Sequence, residues 1–392
     1  MSIVGMTGDE AVAQAAKLVN PDVCAAYPIT PQTIIVERFS DFVNDGEVDT
    51  NYVCVESEHS AMSACVGASA TGARVFTATA SQGLLLMYEI LYIAASSRLP
   101  IVMAIANRAV SGPINIHGEL SDQMLMRDSG WLSLFSENNQ EAYDQTILAF
   151  RIGEHPDVQL PVAVGLDGFI LSHALEGVDV VDRGLIADFL PPRQAKYPLV
   201  PEHPITVGLL CLPDFYYELR YQIEEANTQA LSIIPRVFNE WGEHTGRNYK
   251  PIETYQCEDA EFAFVTMGAF VGNAKTAVDE LREQDKKVGA VKIRAYRPWF
   301  GDMLYNAIKD IPTIGIVERA HNIGGNQHHQ MLASDVFSTL YNKRNFKNVY
   351  SHVGGLGGRD LLIPSWKDIY KNCKEWASEE RSVGTQWVGL RE

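Results

Sequence analysis

The sequence has few cysteines, and their spacing is not that of metal or cluster ligands. Its 392 residues include six cysteines: Cys24, Cys54, Cys65, Cys211, Cys257 and Cys373. No two of them form a CxxC pair, so the sequence predicts neither an iron–sulfur cluster nor a zinc site on this chain. Most of them lie among apolar residues, as the reduced thiols of a protein core do. Such cysteine usage is typical of the reducing cytoplasm.

Positive charge is also scarce. Lysine and arginine number 32 against 49 aspartates and glutamates, which gives a formal net charge of -17. A surface of this sign repels phosphate groups, so neither nucleic acid nor an anionic membrane is expected as a partner. No apolar run approaches the length of a membrane span, and residues 1–8 lack the basic start and the apolar stretch of a signal peptide. The sequence therefore predicts a cytoplasmic protein.

Apolar residues, in contrast, are abundant. They make up 46% of the chain, which is typical of a globular protein. From residue 4 to residue 166, short apolar strands alternate with helices, and this alternation predicts a doubly wound, mainly parallel α/β sheet. A second α/β alternation begins near residue 259. We therefore expect three parts in this order: 1–174, 175–258 and 259–392.

The part between the two α/β units has a different pattern. A proline-containing stretch leads into a long helix at 214–231, and Phe215, Leu219 and Ile223 share one face of that helix. Such a segment connects or wraps domains, and its apolar face is more often a packing or subunit contact than a site.

The stretch from 55 to 86 contains the strongest signal for a site. A strand ends at the carboxylates Glu56 and Glu58, and a helix of small residues follows them. Ligands of parallel α/β sheets lie outside the carboxyl ends of the strands. A glutamate at this place can hydrogen-bond a ring nitrogen of a cofactor. The alternative is that both are ordinary surface acids at a helix start, where the helix dipole favours them.

Thr30 follows another short strand. With Pro31 in the first turn, Thr30 is expected to be the N-cap of a helix at 32–43. Its hydroxyl group would then lie at the carboxyl end of a strand. The alternative is that Thr30 is a cap without any other role.

Arg108 directly follows a buried strand at 100–106. An arginine can bind a carboxylate through two parallel hydrogen bonds, which suits a carboxylic acid substrate. The alternative is an ion pair with a nearby acid such as Glu119 or Asp122. Farther along the chain, the glycines of 354–358 could hold an anion, although glycine clusters alone are weak signals.

Taken together, several motifs resemble the α subunit of the 2-oxoacid:ferredoxin oxidoreductases, and most closely the pyruvate branch of that family. The motifs of the first part are YPITPQT (27–33), ESEHSAMSA (56–64), TATASQGLLLM (77–87), LPIVMAIANRA (99–109), RDSGW (127–131), ENNQEA (137–142) and LDGFILSH (166–173). KIRAYRPWF at 292–300 resembles the transketolase C-terminal-like domain of the same family. The resemblance covers nearly the whole chain and is weakest between 175 and 260.

The resemblance implies an enzyme that works only with partner subunits. Its fold would be a thiamine diphosphate pyrimidine-binding domain followed by the transketolase C-terminal-like domain. A β subunit would share the thiamine diphosphate and hold its diphosphate and Mg²⁺, and γ and δ subunits would complete the complex. The [4Fe-4S] clusters would lie on the partner subunits and pass electrons to ferredoxin or another acceptor, while coenzyme A would accept the acyl group.

The resemblance also implies roles for individual residues. Glu58 would activate the aminopyrimidine by hydrogen-bonding its ring nitrogen. Thr30 would donate to the 2-oxoacid, Arg108 would pair with its carboxylate, and Ile116 would line the pocket for its methyl group. The cofactor would also contact Pro28, Ile29, Ser81 and Gln82, and no residue of this chain would bind a metal.

One position departs from the family pattern. After the isoleucine the family usually has tryptophan or phenylalanine, but this chain has His117. The change would widen the substrate pocket or add a polar contact, which admits phenylglyoxylate or a branched-chain 2-oxoacid besides pyruvate. His117 could also act as a base, and the alternative is a loop histidine that is satisfied by its neighbours.

The predicted function is therefore the oxidative decarboxylation of pyruvate or a related 2-oxoacid to an acyl-CoA and CO₂. A phenylglyoxylate or branched-chain oxidoreductase subunit would use the same machinery. A non-catalytic scaffold subunit is the alternative of another class, and the presence of Thr30, Glu58 and Arg108 together argues against it.

Overall fold

The computed structural model describes residues 2–325, 328–345 and 348–391. Within these ranges the strands are β1 (Ser2–Met6), β2 (Val23–Ala26), β3 (Asn51–Cys54), β4 (Val75–Thr79), β5 (Val102–Asn107), β6 (Leu132–Phe135), β7 (Val162–Asp167), β8 (Glu176–Val180), β9 (Ile252–Tyr255), β10 (Phe262–Thr266), β11 (Val288–Ile293), β12 (Ala295–Arg297), β13 (Thr313–Glu318), β14 (Asn348–Val353) and β15 (Gln386–Trp387). The helices are α1 (Gly8–Val19), α2 (Thr33–Asn44), α3 (Glu58–Ala70), α4 (Ser81–Leu86), α5 (Tyr88–Ser96), α6 (Ser121–Leu125), α7 (Asn139–Gly153), α8 (Arg183–Phe189), α9 (Pro213–Thr245), α10 (Phe270–Arg282), α11 (Gly301–Ile308), α12 (Met331–Asn342) and α13 (Ile363–Ser378).

The first domain is built on a sheet of seven strands in the order β12-β6-β7-β5-β4-β2-β3. All neighbours are parallel except β12, which runs antiparallel to β6. Strands β4, β5 and β7 are buried at every residue, as expected for central strands covered by helices on both faces. The predicted doubly wound, mainly parallel sheet is therefore confirmed.

Side chains of the central strands alternate between two cores. On β5, Val102 and Ala104 pack in the core cluster that contains residues of α1, α2 and α7. Met103 and Ile105 point to the opposite face and pack with residues of α3 and α5. This two-residue period is the reason why an apolar run without polar interruptions folds as a strand buried on both sides.

The second domain has a six-stranded sheet in the order β15-β14-β13-β10-β11-β9. Its strands are parallel except β9, which pairs antiparallel with β11 at the edge. Helices α10 and α13 pack together on one face over Phe262 and Phe264. A separate two-stranded sheet joins β1 antiparallel to β8.

The predicted three-part division is crossed by strand pairing. β9 lies before residue 259 but belongs to the second sheet. β12 lies well inside the third part, yet Ala295 pairs with Leu134 in the first sheet. The division at 174 and 258 therefore stays a prediction, and the two domains share backbone hydrogen bonds.

Helix α9 is longer than predicted and differs in which residues it buries. Ile223 is 7% exposed, but Phe215 and Leu219 of the same predicted face are 67% and 38% exposed. The first turns of α9 are therefore mostly exposed among the residues that the structure describes. Although α9 has 33 residues, neither α9 nor any other helix in the described ranges is apolar enough over a sufficient length to cross a membrane.

The predicted helix cap at Thr30 is wrong. Helix α2 begins at Thr33, and its N-cap position is taken by Gln32 without a side-chain capping bond. The reason is that residues 30–32 form a turn before the helix. The Gln32 side chain instead donates 2.7 Å to the carbonyl oxygen of Ala78 and accepts from the Ile29 N–H. Thr30 is therefore free of a capping role.

Candidate active site

The carboxyl ends of β2, β3, β4, β5 and β7 lie at one edge of the first sheet because these strands are parallel. The segments that follow them meet there. The Arg108 guanidinium donates through Nη1 to the carbonyl oxygen of Thr30 at 2.9 Å, and the Gly168 N–H donates to the carbonyl oxygen of Asn107. The structure thus brings Thr30 and Arg108 together, as predicted, although it is the backbone of Thr30 that Arg108 contacts.

Glu58 lies at the start of α3, where Ser57 caps the helix by accepting from the Ser60 N–H. Only 7% of Glu58 is exposed. A Cβ atom built on Gly83 would lie 2.6 Å from Glu58 Oε1, so the carboxylate occupies the space that this glycine leaves open. No hydrogen bond or ion pair to the Glu58 carboxylate occurs within the part of the chain that the structure describes. A donor from a ligand can therefore take that place.

Glu56 differs sharply from Glu58. It is exposed and accepts a hydrogen bond from the Ser60 hydroxyl, which lowers the pKa of Glu56 below its usual range. The alternative of an ordinary surface acid at a helix start is therefore right for Glu56 and wrong for Glu58.

Arg108 is a buried cation that donates to backbone carbonyl groups. It is 7% exposed, and besides Thr30 its Nε donates to the carbonyl oxygen of Asn115 at 3.3 Å. Burial lowers the pKa of Arg108, and nearby Asp122 opposes this shift. No carboxylate lies within ion-pair distance of this guanidinium among the described residues, so the alternative of an ion pair with Glu119 or Asp122 is wrong.

Asp122 has a different role, which sequence reasoning missed. Its carboxylate is fully buried and accepts from the backbone N–H groups of Ser81 (2.9 Å), Arg108 (3.0 Å) and Gln123 (2.7 Å) and from Asn107 Nδ2 (3.0 Å). Burial raises the pKa of Asp122 to about 6, although these hydrogen bonds favour the charged form. Asp122 therefore connects the turn after β4 to the end of β5 through hydrogen bonds. Its position in a short helix gave no sequence signal for this role.

The remaining predicted cofactor residues border the same edge. Pro28 is exposed and Ile29 half-buried. The Gln32 side chain joins the Ile29 N–H to the Ala78 carbonyl oxygen of β4. Ser81 is buried with a positive φ of 45°, and its Oγ lies 2.5 Å from the carbonyl oxygen of Ala109 and 2.6 Å from Gln82 Oε1. The Ser81 hydroxyl group is therefore already used in hydrogen bonds within the chain.

Ile116 and His117 lie on the 109–120 loop, which follows Arg108. Ile116 is 39% exposed. His117 Nδ1 lies 3.3 Å from Asn115 Oδ1, and its ring contacts the Phe169 ring with centroids 5.1 Å apart. These contacts favour a loop histidine satisfied by its neighbours over a catalytic base.

The second domain also reaches this edge, which the sequence did not indicate. Arg319 follows β13 and forms an ion pair of 2.6 Å with Asp167 at the end of β7. Both side chains are almost fully buried. Arg319 could have been found from the same sequence pattern that identified Arg108, which is a cation directly after a buried strand.

The glycines at 354–358 do hold an anion, and it belongs to this chain. The Gly357 N–H donates 3.0 Å to a carboxylate oxygen of Glu119. The predicted anion site is thus filled by the 109–120 loop.

Two family models cover most of this chain. A model described as pyruvate flavodoxin/ferredoxin oxidoreductase, thiamine diphosphate-binding, matches residues 14–239. Another, described as pyruvate:ferredoxin oxidoreductase core domain II, matches residues 260–365. This chain belongs to the pyruvate flavodoxin/ferredoxin oxidoreductase family. The resemblance stated from its motifs is confirmed.

Full-length relatives within the oxidoreductase family differ in the oxoacid that their names give. The chain is 50% identical to pyruvate synthase subunit PorA of Thermotoga maritima, over 99% of this chain and 98% of the relative. It is 46% identical to PorA of Methanocaldococcus jannaschii, over 99% and 98%. It is also 43% identical to ketoisovalerate oxidoreductase subunit VorA of Pyrococcus horikoshii, over 94% and 93%.

Solved structures support the same fold for this member of the family. The 2-oxoglutarate:ferredoxin oxidoreductase from Magnetococcus marinus, solved with 2-oxoglutarate, coenzyme A and succinyl-CoA, superposes with a TM-score of 0.73 at 19% identity. The match covers 95% of this chain and 65% of that longer chain. A split-gene transketolase, described as an inactive β4 tetramer, superposes with a TM-score of 0.56 at 14% identity, over 96% of this chain and 100% of the other.

Proposed function

We propose that this chain is the α subunit of a thiamine diphosphate-dependent 2-oxoacid:ferredoxin oxidoreductase whose substrate is pyruvate. The complex would convert pyruvate, with coenzyme A, to an acyl-CoA and CO₂, and would pass the electrons through iron–sulfur clusters to ferredoxin. The observation that carries the proposal is the buried Glu58 carboxylate, which has no partner within the described residues and lies at the carboxyl edge of the sheet.

The residues around Glu58 fit the pyrimidine half of thiamine diphosphate. Thr79 Oγ1 is buried without a hydrogen-bond partner among the described atoms, and it lies 2.6 Å from the position of a Cβ on Gly83. Glu58 would accept a hydrogen bond from the ring, and Pro28, Ile29, Ser81 and Gln82 would line the cofactor. When bound, thiamine diphosphate supplies the carbanion chemistry that decarboxylation of a 2-oxoacid requires.

Arg108 and Thr30 would hold the substrate. Arg108 uses two of its donors on backbone carbonyl groups, and the remaining N–H groups suit the planar carboxylate of a 2-oxoacid. The Thr30 hydroxyl would donate to the keto acid beside it. Ile116 and His117 would face the end of the substrate that differs between oxoacids.

Partner subunits would complete this half of the site. A β subunit would hold the cofactor diphosphate and Mg²⁺, while γ and δ subunits and the [4Fe-4S] clusters would carry the electrons. The segment 205–221 exposes large apolar side chains such as Leu210 (88%) and Tyr217 (80%), which suits a chain that works inside a cytoplasmic complex.

A branched-chain 2-oxoacid is the second candidate substrate. It is favoured by His117 in place of the usual loop aromatic residue and by the 43% identity to ketoisovalerate oxidoreductase subunits. A pocket widened at His117 would also accept phenylglyoxylate. A non-catalytic scaffold would have no need of two buried charged groups, Glu58 and Arg108, that form no ion pair within the described residues.

A substrate panel tests the proposal. The complex would be purified with its partner subunits, and coenzyme A-dependent reduction of a viologen dye would be followed with pyruvate, 2-oxoglutarate, 2-oxoisovalerate and phenylglyoxylate. We expect the highest kcat/KM with pyruvate. A preference for 2-oxoisovalerate or phenylglyoxylate would replace the substrate assignment, and no turnover with any of the four would support the scaffold.

A further inference from the structure

The 109–120 loop is held by the second domain as well as by its own strand. Asn115 Nδ2 donates 3.0 Å to the carbonyl oxygen of Gly357, while the Gly357 N–H donates 3.0 Å to Glu119. One residue farther on, the Gly358 N–H donates to the carbonyl oxygen of Gly118 at 3.0 Å. Three hydrogen bonds thus join a loop of the first domain to two glycines of the second.

These glycines are required for the close approach. Gly357 and Gly358 have positive φ values of 59° and 81°, a conformation that other residues rarely adopt. A Cβ atom on Gly358 would collide with His117 Cβ, and one on Gly357 would collide with the Asn115 side chain. Residues 354–358, which we call the glycine loop, therefore pack closely against the part of the 109–120 loop that contains Ile116 and His117.

The far end of the loop is anchored by the same domain. The Leu120 N–H donates 2.9 Å to the carbonyl oxygen of Arg319. Arg319 is itself fixed by its buried ion pair with Asp167 and by a hydrogen bond of 3.0 Å from Nε to the carbonyl oxygen of Gly355. The near end contacts Arg108 through the Asn115 carbonyl group. A shift of the loop would therefore change the position of both Ile116 and Arg108.

We propose that Glu119 is a positioning residue that sets which 2-oxoacid the site accepts, acting through its hydrogen bond to Gly357. This inference rests on the proposed function. Glu119 provides the charge-assisted bond among the three that join the loop to the glycines, and such bonds are stronger than neutral ones. With the loop docked, Ile116 and His117 are held in one place, and the space for the substrate side chain is fixed.

The test uses the whole complex with three variants of this chain. Glu119→Ala removes the bond, Glu119→Gln keeps an oxygen that can accept from Gly357, and Gly358→Ala displaces the loop from the other side. Glu283→Ala, an exposed acid in the second domain, is the matched control. The measurements are kcat and KM for pyruvate and 2-oxoisovalerate, and hydrogen–deuterium exchange of the 109–120 backbone.

For Glu119→Ala and Gly358→Ala we expect the KM for pyruvate to rise about tenfold, with kcat changed by less than about threefold. The preference for pyruvate over 2-oxoisovalerate should fall by about tenfold, and exchange in the loop should accelerate. Glu119→Gln should stay within about threefold of the parent in every measurement. Unchanged KM and selectivity in Glu119→Ala would overturn the proposal.

The outcome also separates this inference from the proposed function. If the parent complex turns over no oxoacid, the proposed function fails. The exchange measurement needs no turnover, and equal exchange of the loop in the parent and in Glu119→Ala would then overturn the positioning role. If Glu119→Gln is as impaired as Glu119→Ala, the hydrogen bond is not what Glu119 contributes, and the proposal fails.

Discussion

Two charged side chains at the carboxyl edge of the first sheet are buried without an ionic partner among the described residues. Glu58 and Arg108 are each 7% exposed, and burial of an unpaired charge costs on the order of several kcal/mol. A cofactor that donates a hydrogen bond to Glu58 and a carboxylate that pairs with Arg108 would recover this cost. We therefore expect replacements here to impair function more than folding.

The substitution Arg108→Ala should affect the oxoacid far more than the cofactor. Because charge-assisted hydrogen bonds contribute about 1.5–3 kcal/mol, we expect the KM for pyruvate to rise roughly 10- to 100-fold. The affinity for thiamine diphosphate should change by less than about threefold, since the proposed role of Arg108 is to bind the substrate and not the cofactor. Steady-state kinetics of the complex with each component varied would measure both.

Arg108→Lys is the matched variant, because it keeps the charge but loses the planar pair of donors. We expect it to fall between the parent and Arg108→Ala. If the affinities for pyruvate and thiamine diphosphate fell by the same factor in Arg108→Ala, the arginine would be structural, through its bonds to Thr30 and Asn115.

At the residue scale, Glu58 and Arg108 could be predicted because ligands of parallel α/β sheets lie outside the carboxyl ends of the strands. Glu58 and Arg108 each follow a strand of a parallel sheet, and parallel strands bring such positions to one edge. Asp122 and Gln32 could not be found in this way. Each acts through hydrogen bonds to segments distant in sequence, and nothing local distinguishes such a side chain from a helix-start or surface residue.

At the scale of elements, α3 is the helix on which the site depends. The sequence predicted a helix of small residues beside the two glutamates, and the structure has such a helix. The helix begins at Glu58, because Ser57 and not Ser60 is the cap. Both serines can cap a helix, so the sequence alone left the choice open. The choice matters, because it places Glu58 inside the first turn and against Gly83.

The contact between α3 and α4 predicts a strong effect of Gly83→Ala. The added Cβ would lie 2.6 Å from both Glu58 Oε1 and Thr79 Oγ1, so the carboxylate must move. We expect the KM for thiamine diphosphate to rise by about tenfold or more and stability to fall by about 1–3 kcal/mol from overpacking. Kinetics and thermal unfolding of the complex would measure the two effects.

Gly272→Ala is the control for that substitution. Gly272 lies in α10, and a Cβ there would meet no atom within 4 Å. Activity should be unchanged and the helix slightly stabilised. Equal activity of the Gly83→Ala and Gly272→Ala complexes would show that Glu58 is not confined by Gly83.

For the long helix α9, the sequence did not predict which apolar residues are buried. The sequence pattern grouped Phe215, Leu219 and Ile223 on one apolar face, but only Ile223 is buried. An apolar helix face indicates that the face is in contact with something, but it does not indicate whether the contact is within the chain or with another subunit. A cover supplied by another subunit cannot be distinguished from one supplied by the same chain.

At the scale of the whole molecule, charged side chains lock the two domains together. Glu141 at the start of α7 pairs with Lys292 and Arg294 of the second domain, and Glu137 pairs with Lys292 at 2.7 Å. Arg294 also pairs with Glu253 at 2.7 Å. The β12–β6 pairing and the Asp167–Arg319 ion pair join the same two domains. Together with this cluster, they hold the glycines of 354–358 beside the 109–120 loop.

The cluster predicts how stability depends on pH. Burial alone would raise the pKa of Glu141, but Lys292 and Arg294 lower it to about 2 from an ordinary value of 4.5. A lowered pKa stabilises the folded state above the ordinary value, by roughly 3 kcal/mol for a shift of this size. This stabilisation is lost as the pH falls from about 4.5 through about 2.

The substitution Glu141→Gln isolates this contribution. Urea unfolding between pH 3 and pH 7 should show the parent chain to be more stable than the variant at about pH 7, with the difference shrinking below about pH 4.5. Glu283→Gln, an exposed acid, should show no such dependence. A difference that stays constant or grows as the pH falls would contradict the proposed pairing.

Fold class was predictable at this scale, but the joining of the domains was not. Alternating strands and helices indicated two α/β units, and the structure has both. The motif at 292–300 was assigned to the second domain, and nothing in it indicated a strand of the first sheet. β12 has three residues, too few for any periodic pattern, and its pairing depends on where the two domains meet.

We propose that Glu58 activates the bound cofactor. The most direct test is the rate at which the thiazolium C2 hydrogen of thiamine diphosphate exchanges with deuterium in the assembled complex, measured by rapid quench and NMR. In Glu58→Gln we expect this rate to fall by about 100-fold or more with the cofactor still bound, while Glu56→Gln exchanges like the parent. Equal exchange rates in Glu58→Gln and the parent complex would contradict the account.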